Sequence, residues 1–104
     1  MKILHVEDRD SLARAYKARI QEKCPQIEIL RASTYDEAVE LLEKETFDLI
    51  VSDFCFPGKE IYRYSGGIDL YRLILDRYPH MTVHFLSSMA GSIEEVLAES
   101  KMRL

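Results

Sequence analysis

The order in which two periodicities alternate constrains this chain more than any single residue. Ile3-Leu4-His5-Val6 is a short apolar run that stops abruptly at Glu7-Asp8, and its brevity and β-branched content mark a buried strand. Over 11–24 the period becomes helical, with Leu12, Ala15, Tyr16, Ile20 and Cys24 on one side and Arg14, Lys17 and Lys23 on the other. Asp10 or Ser11 is placed to cap this helix, and Pro25 cannot continue it. The exchange then repeats. A second strand is expected from Ile27 to Ala32, followed by the capping box Thr34-x-x-Glu37 and a helical face of Ala38, Leu41 and Leu42. A third, strongly apolar strand, Phe47-Asp48-Leu49-Ile50-Val51-Ser52, ends at Asp53. After a loop with Pro57, Gly58, Gly66 and Gly67, a helix from Ile68 to about Tyr78 carries Leu70, Tyr71, Ile74 and Tyr78 as one stripe and stops at Pro79. Met81 to Leu86 reads as a fourth strand ending in Ser87-Ser88, and the capping box Ser92-x-x-Glu95 opens a last helix with Ile93, Val96 and Leu97. Strands alternating with helices, each strand nearly continuous in apolar residues, predict an α/β fold with a parallel sheet covered on both faces. At 104 residues the chain is expected to form one domain over 1–104.

In an open α/β sheet, ligands bind outside the carboxyl ends of the strands. Those ends are legible here: Glu7-Asp8, Asp53 and Ser87-Ser88. If the first and third strands are neighbours, three carboxylates converge at one sheet edge. Acids in such turns are often only solvated, but three together repel one another unless a cation sits among them. A hard divalent ion such as Mg²⁺ suits a site of carboxylates, a carbonyl and waters. A carboxylate beside Mg²⁺ can attack phosphorus and become an aspartyl phosphate, the metal neutralising charge on the phosphoryl oxygens. The Ser87 hydroxyl is placed to hydrogen-bond one of those oxygens, or to satisfy local backbone.

Composition removes other classes of function. The chain has 18 acidic and 14 basic residues, a net charge of −4 and no basic run, which argues against nucleic-acid and anionic-membrane binding. No apolar stretch approaches the roughly 20 residues of a membrane span, and the N-terminus lacks the apolar core of a signal peptide. Cys24 and Cys55 share no metal-ligand spacing, so a reduced, cytoplasmic setting is expected. No G-x-G-x-x-G follows the first strand, which removes dinucleotide binding. His5, His80 and His84 lie within or at the starts of strands, outside any triad context, so a turnover enzyme is not expected.

The segments Ile3-Leu4-His5-Val6-Glu7-Asp8, Asp48 to Gly58, Gly67-Ile68-Asp69-Leu70 and Val83-His84-Phe85-Leu86-Ser87-Ser88 together resemble the receiver domain of two-component response regulators. Their order and spacing carry the resemblance, Asp53 followed by Pro57 most of all. It implies a flavodoxin-like (CheY-like) three-layer sandwich with a parallel sheet in strand order 2-1-3-4. It also implies that Asp53 accepts a phosphoryl group from a histidine kinase or phosphotransfer protein, in a phosphorelay. Glu7 and Asp8 match the acids that help hold Mg²⁺, and the Cys55 carbonyl matches a further metal ligand. Ser87 matches the hydroxyl that contacts the phosphoryl group and shifts on activation, and Ser88 the small residue beside it. The Cys55 side chain itself reads as a small loop residue rather than a redox group.

Two departures from the family pattern bear on function. The loop over 59–65, with Tyr62, Arg63 and Tyr64, is longer than usual, and is either a contact surface or a solvated insertion. The family's fifth strand, its terminal lysine and the helix after it have no counterpart before Leu104, and Lys101, fourteen positions after Ser87, is poorly placed to replace that lysine. On this reading the Met81–Leu86 strand is an apolar edge. Such an edge predicts a symmetric homodimer through that strand or through the last helix. Two functions follow from the residues: a stand-alone phosphoacceptor, favoured by the retained acids, and a degenerate receiver that binds a partner protein without phosphotransfer, favoured by the departures.

Overall fold

The computed structural model describes residues 1–60 and 63–86. The chain opens with β1 (Lys2–Val6), α1 (Asp10–Lys23), β2 (Glu28–Ala32) and α2 (Tyr35–Lys44). It continues with β3 (Leu49–Asp53), α3 (Gly66–Arg77) and β4 (Val83–Leu86). All neighbouring strands are parallel, in the order β2-β1-β3-β4. The sheet is the middle of three layers. Leu4, Val6, Ala32 and Ile50 point to one face and pack with Ala38 and Leu42 of α2 and Leu70 and Ile74 of α3. Ile3, Ile29 and Val51 point to the other face and meet Tyr16 and Ile20 of α1. The central strands β1 and β3 are buried on both faces, which is why they read as unbroken apolar runs. The register sets the site. Val6 lies opposite Ser52, so Glu7 and Asp53 sit side by side where the two strands end.

Four details differ from the sequence expectation. Helix α1 starts at Asp10 and is preceded by Arg9, with no side-chain cap hydrogen bond, because the Asp10 carboxylate pairs with Arg31 of β2. Cys24 falls just past its end, where its N–H still bonds the Ile20 carbonyl. Helix α3 begins at Gly66, two residues before Ile68. The N–H groups of Gly66 and Gly67 bond the carbonyls of Phe56 and Phe54, at 2.8 and 3.0 Å, and a Cβ at either glycine would run into those phenylalanines. The glycines therefore allow the β3–α3 loop to lie against the first turn of the helix. Finally, β4 covers only Val83–Leu86, and its residues alternate. Val83 and Phe85 are half-buried whereas His84 and Leu86 are exposed, so the strand is not apolar on both faces. The Thr34 cap forms as expected, its hydroxyl accepting from the Glu37 N–H at 3.1 Å.

Candidate functional site

The carboxyl ends of β1 and β3 carry the polar residues that the core excludes. Ligand oxygens of Glu7, Asp8 and Asp53 all lie within 4.8 Å of one another. Glu7 and Asp53 are each only 6% exposed, so two of these acids sit largely away from water. The Asp53 carboxylate is oriented by the chain that follows it. Its Oδ1 accepts the Phe54 N–H at 2.9 Å, and the Cys55 N–H also faces it. Behind it, the buried Ser52 hydroxyl donates to the Asp53 carbonyl at 2.7 Å.

Two arginines, which the sequence did not mark, organise the β1–α1 loop. Arg9 donates its N–H to Glu7 Oε2 at 3.2 Å. Its guanidinium places Nε 3.6 Å from Glu7 Oε2 and Nη2 4.0 Å from Asp53 Oδ2. Arg31 of β2 donates from Nε and Nη2 to the Glu7 carbonyl at 3.0 and 2.9 Å, and pairs with Asp10. Arg31 is a positioning residue: it ties the neighbouring strand to the peptide that carries Glu7 and to the first residue of α1. The only sequence signals were a basic residue between apolar neighbours in the second strand and a cation directly after the acidic pair.

Burial pushes the Glu7 carboxyl above its ordinary range, and the Asp53 charge adds to this, whereas the Arg9 N–H and guanidinium oppose it. Burial likewise raises Asp53, opposed by the Phe54 N–H and by Arg9. Both acids are therefore held in a setting that disfavours their charge unless a cation is near. The donor set is three hard carboxylate oxygens, two from buried acids and one from the half-buried Asp8, which fits a divalent ion of the Mg²⁺ type. Glu7, Asp8 and Asp53 are the residues that would hold it, with the Cys55 carbonyl within the same turn.

A cavity of about 500 Å³ adjoins these acids on the α1 face, lined by His5, Arg9, Leu12, Tyr16 and Leu86 among others. His5 is buried with its ring 4.3 Å from that of Tyr16, and burial, helped by the Arg31 charge, pushes its pKa down to about 4. Asp69 holds the residues on either side of 61–62, accepting from the Lys59 N–H at 3.0 Å and the Ser65 hydroxyl at 2.9 Å. Tyr64 is 67% exposed. Cys55 is exposed with a free thiol. Ser87, Ser88, the Ser92-x-x-Glu95 box, the last helix, Lys101 and Tyr62 lie outside the described residues.

A parallel sheet in this order, with an acidic cluster at the ends of its central strands, defines a class of α/β signalling domain. The family profile of the response regulator receiver domain matches residues 3–102, and the chain belongs to that family, whose domains act in two-component signalling. A response regulator receiver domain protein from Clostridium thermocellum superposes with a TM-score of 0.76 at 24% identity, over 96% of this chain and 75% of that one. The non-phosphorylated HemR receiver domain from Leptospira biflexa gives 0.73 at 29% identity, over 91% and 70%. The response regulator TrrA, solved in complex with the histidine kinase ThkA, gives 0.69 at 23% identity, over 84% and 68%. Comparison with curated proteins gives no match. Among the described residues, no helix is long and apolar enough to cross a membrane.

Proposed function

We propose that this domain is a phosphoacceptor of a phosphorelay, taking a phosphoryl group onto Asp53 from a histidine kinase or phosphotransfer protein in the presence of Mg²⁺. The observation that carries this reading is the convergence of Glu7, Asp8 and Asp53 oxygens within 4.8 Å at the ends of adjacent strands. A complex between a receiver of the same fold and its histidine kinase is consistent with such a donor. In the reaction an Asp53 carboxylate oxygen attacks phosphorus, and the bond from phosphorus to the histidine nitrogen breaks with its electron pair leaving on the imidazole. The Phe54 and Cys55 N–H groups hold the nucleophile in place, and Glu7 and Asp8 fix the cation. When bound, Mg²⁺ neutralises charge on the phosphoryl oxygens. The Ser87 hydroxyl would contact the phosphoryl group, and the Cys55 carbonyl would complete the protein's metal ligands.

We further take 1–104 as one domain acting through protein contacts in the cytoplasm, without turnover, nucleic-acid or membrane binding of its own. Self-association would use the β4 edge or the last helix. Among the described residues β4 pairs on one side only, with β3, and exposes Leu86 to 44%. A monomer in sedimentation at high concentration would remove the dimer. The phosphoacceptor reading is tested by intact mass after incubation with Mg²⁺ and acetyl phosphate. The expected result is one phosphate adduct in the parent chain and none in Asp53→Asn. No adduct, together with no Mg²⁺ binding, would leave the domain as a partner-binding module.

A further inference from the structure

Arg9 lies against the two buried carboxylates that a cation would use. Its guanidinium sits 3.6 Å from Glu7 Oε2 and 4.0 Å from Asp53 Oδ2, and its side chain is 63% exposed. A divalent ion of the Mg²⁺ type binds carboxylate oxygens at about 2.1 Å. Seated on these oxygens it would lie within a few ångströms of the guanidinium, and two like charges at that distance repel. Glu7 and Asp53 are fixed by buried strands and by main-chain hydrogen bonds, whereas Arg9 hangs on a long, solvent-facing side chain. Arg9 is therefore the group that yields.

We propose that Arg9 is a tethered competitor for the divalent-cation site, setting the concentration at which Mg²⁺ enters. This rests on the metal-binding reading of the same cluster. Each Mg²⁺ that binds must displace the guanidinium from Glu7 and Asp53, so the affinity of the site is lowered by whatever the arginine contributes there.

The test is Mg²⁺ titration by isothermal calorimetry of the parent chain, Arg9→Ala, Arg9→Lys and Arg14→Ala. Arg14 is on α1, the helix that Arg9 precedes, and acts on Asp10 rather than on the cluster. Exposed ion pairs of this kind predict that Arg9→Ala binds Mg²⁺ about three- to ten-fold more tightly. Arg9→Lys should fall between, since one ammonium cannot reach both acids as a fork does, and Arg14→Ala should stay within about two-fold of the parent. Binding in Arg9→Ala alone would support the proposal most strongly. Equal affinity in the parent and Arg9→Ala overturns it while leaving the metal site standing, as does weaker binding in Arg9→Ala. An equal gain in Arg9→Ala and Arg14→Ala also overturns it, because the effect would then be the general field. No binding in any variant overturns the metal reading itself, and this proposal with it.

Discussion

The two faces of the sheet are built to different standards. On the α2/α3 face, Leu4, Val6, Ala32, Ile50, Phe56 and Leu70 are fully buried, and Ile74 nearly so. On the α1 face, among the described residues, the cluster is three strand residues, with only Ala13 of the helix buried and Leu12 left 43% exposed. That face also buries an imidazole, His5, and opens the cavity beside the acids. The amino-acid pattern accounts for the contrast. Helix α2 concentrates its apolar residues on one side, whereas α1 carries Arg14, Lys17, Arg19 and Lys23 and buries only Ala13. One face holds the strands in register, and the other leaves room at the strand ends where the chemistry would occur.

Adjacent residues of β1 measure this difference directly, because they point to opposite faces. Truncating Leu4, which has no exposure and packs under α2 and α3, should cost about 3–4 kcal/mol. Truncating Ile3, on the α1 face, should cost about 2 kcal/mol, since the looser surroundings can close over the smaller side chain. Urea unfolding of Leu4→Ala and Ile3→Ala, with unchanged m-values, would give both numbers. Equal losses would break the comparison between the faces.

The buried imidazole makes the α1 face sensitive to acid. His5 has its pKa lowered to about 4 by burial and by the Arg31 charge, against 6.5 for an unperturbed histidine. Between those values the unfolded chain takes up the proton and the folded chain does not. Stability therefore falls as pH drops from about 6.5 towards 4, by up to about 3 kcal/mol for this one group. Glu7 and Asp53 act in the opposite sense. Their raised pKa values favour the protonated folded state, so what they contribute is lost as pH rises through those folded values. A His5→Phe chain keeps a ring against Tyr16 and removes the histidine proton alone. Its unfolding free energy, subtracted from the parent's across pH 4–6.5, should give the His5 slope. A flat difference would show that the imidazole is not kept neutral by the fold.

The sequence made the strand ends legible because burial on both faces forces β1 and β3 to be apolar, so the acids that follow them stand out. Parallel order did the rest: once β1 and β3 are neighbours in register, Glu7, Asp8 and Asp53 must meet. What could not be read was contact that depends on the third dimension. Arg31 sits 24 residues from the Glu7 carbonyl it holds, and nothing in a strand pattern says which way its side chain turns. Asp10 looked like a helix cap from spacing alone, but a guanidinium across the loop competes for the same carboxylate and wins. The start of α3 was misplaced because glycine lowers helix propensity, yet at Gly66 and Gly67 the close approach of Phe54 and Phe56 admits no other side chain without movement.

The helix beginnings provide the smallest and sharpest separation of the two faces. On the packing side, Thr34 accepts the Glu37 N–H at 3.1 Å, and the Glu37 carboxylate reaches back to the Ser33 N–H at 3.1 Å. This reciprocal arrangement serves only the helix, so Thr34→Ala should cost about 1 kcal/mol of stability and leave Mg²⁺ binding unchanged. On the site side, Asp10 caps nothing. Its carboxylate is spent on Arg31, whose other bonds fix the Glu7 peptide. Asp10→Ala should therefore lose less stability than Thr34→Ala while weakening Mg²⁺ binding, because the loop that presents Glu7 and Asp8 gains freedom. Thermal unfolding and calorimetric titration of the two variants would give crossed effects. If both lowered stability and neither moved Mg²⁺ affinity, the start of α1 would be one more helix end, and the distinction between a packing face and a working face would not extend to the loops that leave them.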